Sequence, residues 1–270
     1  MPRVAALYVY PVKSCGAISL QTAELGARGI LHDRLWMVVN GETNRFVTQR
    51  DFPQMALIGC TLGDSLTLSA PGMSSLRLSI AGVPNAGSRE ISIWKDTCLS
   101  ADQGDEAASW FQDYLKDKSL RLVRMPDNTI RPVQPRGAAP LSQTGFADGY
   151  PLLVISEASL ADLNSRLDAP IPMNRFRPNL VISDCEAFAE DAWDHVKVGS
   201  TLLFRAKPCE RCVVTTIDQR TGIKQLKEPL RTLAKYRNTE KGAIFGQNFV
   251  HSAPGTLSVG DVIDECALIV

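Results

Sequence analysis

Apolar and polar positions alternate in short runs over much of this chain, the period-2 pattern of half-buried strands. "VAALYVYPV" opens the series. "RLWMVVNGETNRFVTQ" sets Asn40-Gly41 between two β-prone runs and predicts a hairpin. "SLTLSAPGMSSLRLSI" alternates leucine with small polar residues about Pro71-Gly72 and predicts another, while "REISIWKDTCLSA" reads as one further strand. A helical period first appears in "DEAASWFQDYLKD", where Ala108, Phe111 and Leu115 share a face. Residues 125–150 then hold four prolines and three glycines with little periodicity. That is a long loop, and loops of this length are usually functional or disordered. It marks a seam between two units, 1–122 and 123–270.

Past the seam, "PLLVIS" predicts a buried strand and "SEASLADLNSRL" a helix. Ser156 suits its N-cap, Glu157 its positive end, and Leu160, Leu163 and Leu167 its inner stripe. Strands resume in "PNLVIS", "VGSTLLF", "CVVTTID" and around "GTLSVGDVIDECALIV"; "EPLRTLAKYR" is a short helix beginning near Pro229. Many short strands and few helices predict a mostly β (α+β) fold of barrel or sandwich type, not a doubly wound sheet. No glycine-rich phosphate loop occurs. Trp36, Trp94, Trp110 and Trp193 are expected in the core.

Composition narrows the function. Hydrophobic residues make up 44% of the 270, and 29 Lys and Arg balance 29 Asp and Glu. No basic surplus draws the chain to nucleic acid or to an anionic membrane, though a local basic pocket stays compatible with zero net charge. The apolar run at the N-terminus is too short to span a bilayer and lacks a cleavage site. Seven cysteines without framework spacing predict reduced thiols and a cytoplasmic protein.

Two of those cysteines stand three apart, in "KPCERCVVTTIDQRTG". A thioredoxin-like dithiol needs a helix N-terminus, whereas the β-branched run after Cys212 predicts a strand. Structural zinc and iron–sulfur sites want four ligands; there is no second pair, and His32, His195 and His251 are isolated. Two buried small hydrophobes remain one reading of the pair. The other is a single working thiolate, favoured by the cations Arg205, Lys207 and Arg211 close by.

"CERCVVTTID" with "TG", "KEPLRTLAKYR" and "FGQNFV" resembles the MOSC domain of molybdenum cofactor proteins. "YPVKSC", "DRLWMVVN" and "FVTQRDFPQMALI" resemble the β-barrel-like N-terminal domain that accompanies it. "FADGYPLLVISEASLADLNSRL" and "NRFRPNLVI" point to the branch of amidoxime-reducing components and bacterial reductases of N-hydroxylated compounds. The resemblance runs from about residue 3 to the C-terminus in order, with 1–122 as the N-terminal domain and 123–270 as the MOSC domain.

It implies a molybdenum–pyranopterin dithiolene cofactor between the domains, with Cys212 as catalytic metal ligand and Cys209 a bystander. By the same resemblance Lys13, Ser14, Arg34, Arg177, Asn179, Arg211 and Asn248 contact the cofactor. Asn248 stands where the mitochondrial members carry Tyr, and Glu210 replaces a small residue. Asp148 matches a position near the metal, where it orients substrate or relays protons, or else simply turns the chain before Gly149. Gln49 and Arg50 either line the substrate mouth or close a hairpin. The implied activity is reduction of N–OH to N–H on a small N-hydroxylated substrate, by a monomer. No cysteine cluster follows Cys212, so electrons come from a separate donor of ferredoxin, flavin-reductase or cytochrome type. A non-catalytic carrier of cofactor or sulfur on the Cys212 thiolate is the alternative.

Overall fold

The computed structural model describes residues 1–133, 142–225 and 227–265. The central loop's residues 134–141 and the Cys266–Val270 end of the last predicted pair lie outside them. The first half of the chain supplies strands β1 (Arg3–Val9), β2 (Ile18–Leu20), β3 (Thr22–Gly26), β4 (Gly29–Ile30), β5 (Trp36–Asn40), β6 (Gly59–Leu62), β7 (Ser65–Ser69), β8 (Leu76–Ser79), β9 (Ser88–Ile93) and β10 (Asp96–Asp102). Helix α1 (Gly104–Leu115) and strand β11 (Leu120–Arg124) complete it. The second half supplies β12 (Leu152–Ser156), α2 (Glu157–Asn164), β13 (Leu180–Ser183), β14 (His195–Val198), β15 (Thr201–Glu210), α3 (Leu230–Tyr236), β16 (Asn238–Thr239), β17 (Gly242–His251), β18 (Gly255–Ser258) and β19 (Ile263–Glu265). The fold is mostly β, as the alternation predicts, with three α-helices among the described residues.

One large sheet runs in the order β19-β14-β15-β17-β12-β13-β1-β2, with β16 added beside β17. Strand β12, an unbroken apolar run, is buried at all five positions. It pairs antiparallel with β17 and parallel with β13, the latter through a crossover that contains α2. The Ser156 hydroxyl caps α2 by accepting from the Ser159 amide, as predicted. A smaller sheet, β5-β11-β10-β9, and the β6-β7-β8 meander enclose a second core with α1, which buries Ala108, Phe111 and Leu115. Although β1–β4 fall within residues 1–122, β1 pairs with β13 and β3 with β18. The first thirty residues therefore lock the two halves together, and the turns after β1 and before β5 lie at their junction.

Four details depart from the sequence expectation. The stretch "REISIWKDTCLSA" is two strands, β9 and β10, closed by the pair Ile93–Asp96 around Trp94-Lys95. Those two residues carry no turn signal, so the alternation reads straight through them. Trp94 is consequently 51% exposed at the hairpin tip, while Trp36, Trp110 and Trp193 are buried. The return arm of the Asn40-Gly41 hairpin forms no regular strand; it is held by the isolated Val39–Phe46 and Arg45–Ser92 bridges and neighbouring hydrogen bonds. Asn40 Oδ1 takes the amides of Glu42 and Thr43, which lengthens the turn. Finally, "CVVTTID" is not a strand: Val213–Thr216 form one 3-10 turn with Cys212 before it. Thr215 and Thr216 hydroxyls donate back to the Cys212 and Val213 carbonyls, a local bond that outcompetes the β preference of the branched side chains.

The long loop is tied down where it is described. Buried Arg131 donates to the carbonyls of Gly145 and Ala147 and pairs with Asp96. Gly145 is packed so tightly on the Asp33–Arg34 turn that a Cβ there would stand 2.8 Å from the Arg34 carbonyl oxygen. That close approach lets the Phe146 amide donate to the same oxygen.

Candidate active site

A cleft opens at this junction, and all nine residues that the resemblance assigns to the cofactor, the metal or its surroundings line it: Lys13, Ser14, Arg34, Asp148, Arg177, Asn179, Arg211, Cys212 and Asn248. They arrive from separate elements: the turn after β1, the turn before β5, the end of the long loop, the approach to β13, the end of β15, and β17. Five cationic side chains and two carboxylates line the walls, so the cleft favours an anion in a protein of zero net charge.

The basic floor is built around Tyr10. Its ring lies under the Arg34 guanidinium at 4.2 Å and the Arg177 guanidinium at 4.3 Å. Its hydroxyl donates to the Pro178 carbonyl at 3.1 Å, and its amide to Asp33 Oδ1 at 2.9 Å. Burial pushes the phenol up to about 12, against the pull of Arg177 and Arg34, so it stays neutral. Arg34 also pairs with Asp33 at 2.6 Å and donates to Asn179 Oδ1 at 3.1 Å. Arg177 Nη2 is buried without a hydrogen-bond partner among the described residues, and burial pulls its guanidinium below the usual range. A buried unpaired donor is costly, and an anion in the cleft would satisfy it. Ser14, Arg34 and Arg177 have φ of 69°, 47° and 57°. Left-handed backbone at three non-glycine positions of one cleft is strain held by the surroundings.

Asn179 acts mostly within the protein. Its Oδ1 accepts from Arg34 and from the Leu153 amide, and its Nδ2 donates to the Tyr8 carbonyl. Asn248 Nδ2 reaches the Lys207 and Pro208 carbonyls at 3.4 Å each. At the mouth, buried Lys13 donates to the Phe146 carbonyl at 2.8 Å and to Asp148 Oδ1 at 2.6 Å. Asp148 itself is exposed toward the cleft. Desolvation by the walls works against its ionisation, but the Lys13 charge, the hydrogen bonds from Lys13 and Trp94, and Arg50 outweigh it. Its carboxyl is held well below the usual carboxylate range.

The two cysteines of "CERC" face different cations. Cys212 Sγ accepts from Arg50 Nη2 at 3.0 Å, and Cys209 Sγ from Arg211 Nη1 at 2.8 Å. Arg211 also donates to the Phe176 carbonyl, and its Nε is buried and unpaired. Glu210 turns to Lys207 at 2.7 Å. Cys209 lines the cleft as well as packing against the core beneath α3, so it has a polar partner beyond packing. Among the described residues no three His, Cys, Asp or Glu side chains cluster. A metal here would rest on thiol sulfur plus atoms that it brings with it.

Of the residues left open by sequence reasoning, Arg50 lines the cleft beside the thiol, whereas Gln49 is buried behind it, bonded to the Ser14 carbonyl and Gln219. Tyr10 and Trp94 were missed. Tyr10 lies in the apolar run "VAALYVYPV" with no local signal of a site, and nothing local distinguishes a tryptophan at a turn from one in a strand.

The chain matches the MOSC N-terminal β-barrel domain over residues 1–118 and the MOSC domain over residues 142–264. It is 40% identical to mitochondrial amidoxime-reducing component 1 of Homo sapiens, over 96% of this chain and 82% of that protein. The Mus musculus component 1 is also 40% identical, over 96% and 81%. Component 2 of Bos taurus is 37% identical, over 96% and 82%. No helix among the described residues is long and apolar enough to cross a membrane. With both domains matched in order and such identity over nearly the whole length, the chain belongs to the MOSC-domain family of the amidoxime-reducing components.

Proposed function

We propose that this chain reduces N-hydroxylated compounds, N–OH to N–H, using a molybdenum–pyranopterin dithiolene cofactor bound in the cleft. The observation that carries the reading is convergence: a soft thiol, a surplus of guanidinium groups and a paired carboxylate, drawn from positions 13 to 248, face one cavity. The donor set suits the group. Cys212 offers a soft sulfur ligand, with the Arg50 guanidinium 3.0 Å from it. The unpaired Arg177 Nη2 and Arg211 Nε are donors that an anionic cofactor tail would fill. Arg34, held by Tyr10 and Asp33, adds a fixed cation on the same floor. Lys13, Ser14 and Asn248 would complete the cofactor's polar contacts, with Asn179 holding Arg34 in place.

When bound, the cofactor supplies the two-electron chemistry that turns N–OH into N–H and water. This chain's own residues position the substrate and handle protons. Asp148, kept ionised, accepts hydrogen bonds from the substrate's N–H groups and orients it. Lys13 Nζ, 2.6 Å from that carboxylate and buried beside it, holds a proton that it can pass to the cleft. Electrons come from a separate protein of ferredoxin, flavin-reductase or cytochrome type, and the chain works as a cytoplasmic monomer.

The test is molybdenum content together with reduction of a hydroxylamine-type substrate by an artificial donor. Metal-loaded protein that fails to reduce any N-hydroxylated compound would refute the enzyme reading and leave the carrier alternative.

A further inference from the structure

The tip of the β9–β10 hairpin holds a residue that neither the turn nor the core favours. Trp94 and Lys95 are the two central residues between Ile93 and Asp96. Trp94 has φ of 54°, a conformation that glycine adopts freely and a bulky side chain does not. Positive φ at the first central position is where hairpin turns of this length prefer glycine. Half the side chain is also open to solvent, so it adds little to the core.

What Trp94 meets is the site. Its indole N–H donates to Asp148 Oδ1 at 3.1 Å, the Arg50 guanidinium lies over its ring at 4.6 Å, and Phe46 packs edge-on at 5.0 Å. Arg50 reaches on to the Cys212 sulfur, and Asp148 to Lys13. One ring therefore touches both side chains that link the mouth to the interior. It faces an outer, solvent-open vestibule rather than the inner cleft. The two spaces meet at Thr48, Arg50, Asp148, Gly149 and Tyr150, which border both.

We infer that Trp94 is the specificity-determining residue of this entrance. Its open indole surface stacks the flat, conjugated part of a substrate while the N–OH end enters toward Cys212. The inference rests on the reductase reading. A planar ring gains an oriented stacking contact that a saturated ring of the same size does not.

The probes are benzamidoxime and its saturated analogue cyclohexanecarboxamidoxime, with wild type, Trp94→Phe and Trp94→Gly. Binding to the metal-free protein is measured by calorimetry, KM and kcat with the loaded enzyme, and thermal stability for each variant. Wild type should bind the aromatic compound about tenfold more tightly. Trp94→Phe should keep most of that ratio. Trp94→Gly should erase it, with a melting temperature unchanged or raised because glycine suits the turn. In the loaded enzyme the preference should move in KM and leave the kcat ratio alone. A wild type without the preference, or a Trp94→Gly variant that keeps it, overturns the inference. So does a Trp94→Gly variant that loses stability in step with binding, since the ring would then be structural. If no loaded protein reduces either compound, the reductase reading fails, while the calorimetric ratios still decide the role of Trp94.

Discussion

Substituting Tyr10 with Phe and with Leu separates two contributions that meet at one buried ring. Phe deletes only the hydroxyl, which donates to the Pro178 carbonyl at 3.1 Å. A lost hydrogen bond of this kind costs about 0.5–1.5 kcal/mol. Leu also removes the aromatic face under Arg34 and Arg177, 4.2 and 4.3 Å from the ring centre. A desolvated cation–π contact contributes about 1–2 kcal/mol, and the ring's lost volume adds a cavity term, so the step from Phe to Leu should cost about 2–4 kcal/mol. Urea unfolding at 25 °C reads both numbers. The phenol stays protonated up to about pH 12, so the comparison holds across neutral pH. Because the two like-charged guanidiniums are kept in register by the ring, Tyr10→Leu should also weaken binding of inorganic phosphate to the cleft, and Tyr10→Phe should not. A Leu variant within 1 kcal/mol of the Phe variant, with phosphate binding intact, would refute the idea that the ring organises the basic floor.

Two further outcomes follow from buried ionisable groups. Asp148→Asn removes the charge that opposes the desolvation of Lys13, so burial should pull the ammonium down further; peptide-resolved acetylation of Lys13 should then begin at lower pH than in wild type, and an unchanged profile contradicts the pairing. Glu190, buried against the Ser156 amide and the Ser159 hydroxyl, has its carboxyl pushed up by desolvation. A raised acid stabilises the fold while protonated, below about 4.5, and that contribution is lost as pH rises through its folded value. The melting-temperature difference between Glu190→Gln and wild type should therefore shift in favour of the variant between pH 4.5 and pH 8; a flat difference rules this out.

Legibility of the sequence varied with how local each determinant is. The β7–β8 hairpin, α1 and the capped α2 were readable because their signals lie within a dozen residues: Pro71-Gly72, the Ala108–Phe111–Leu115 face, Ser156. The split of β9 from β10 was not, since Trp94-Lys95 occupies a turn usually made by glycine or asparagine. The turn after Cys212 reads as a strand because branched side chains favour strands, while the hydroxyl-to-carbonyl bonds that win depend on where β15 ends. The site residues were legible only through the family pattern; composition hides the cleft, whose cations are compensated elsewhere. Arg50 beside Cys212 is set by packing across 162 positions, beyond any local pattern.

Molybdenum content tests the central claim most directly. Wild type, Cys212→Ser and Cys209→Ser would be produced in a host that makes the cofactor, checked for folding by circular dichroism, and analysed by mass spectrometry. The account predicts molybdenum in wild type and Cys209→Ser and its loss in folded Cys212→Ser. Metal absent from wild type, or equal in Cys212→Ser, would contradict it.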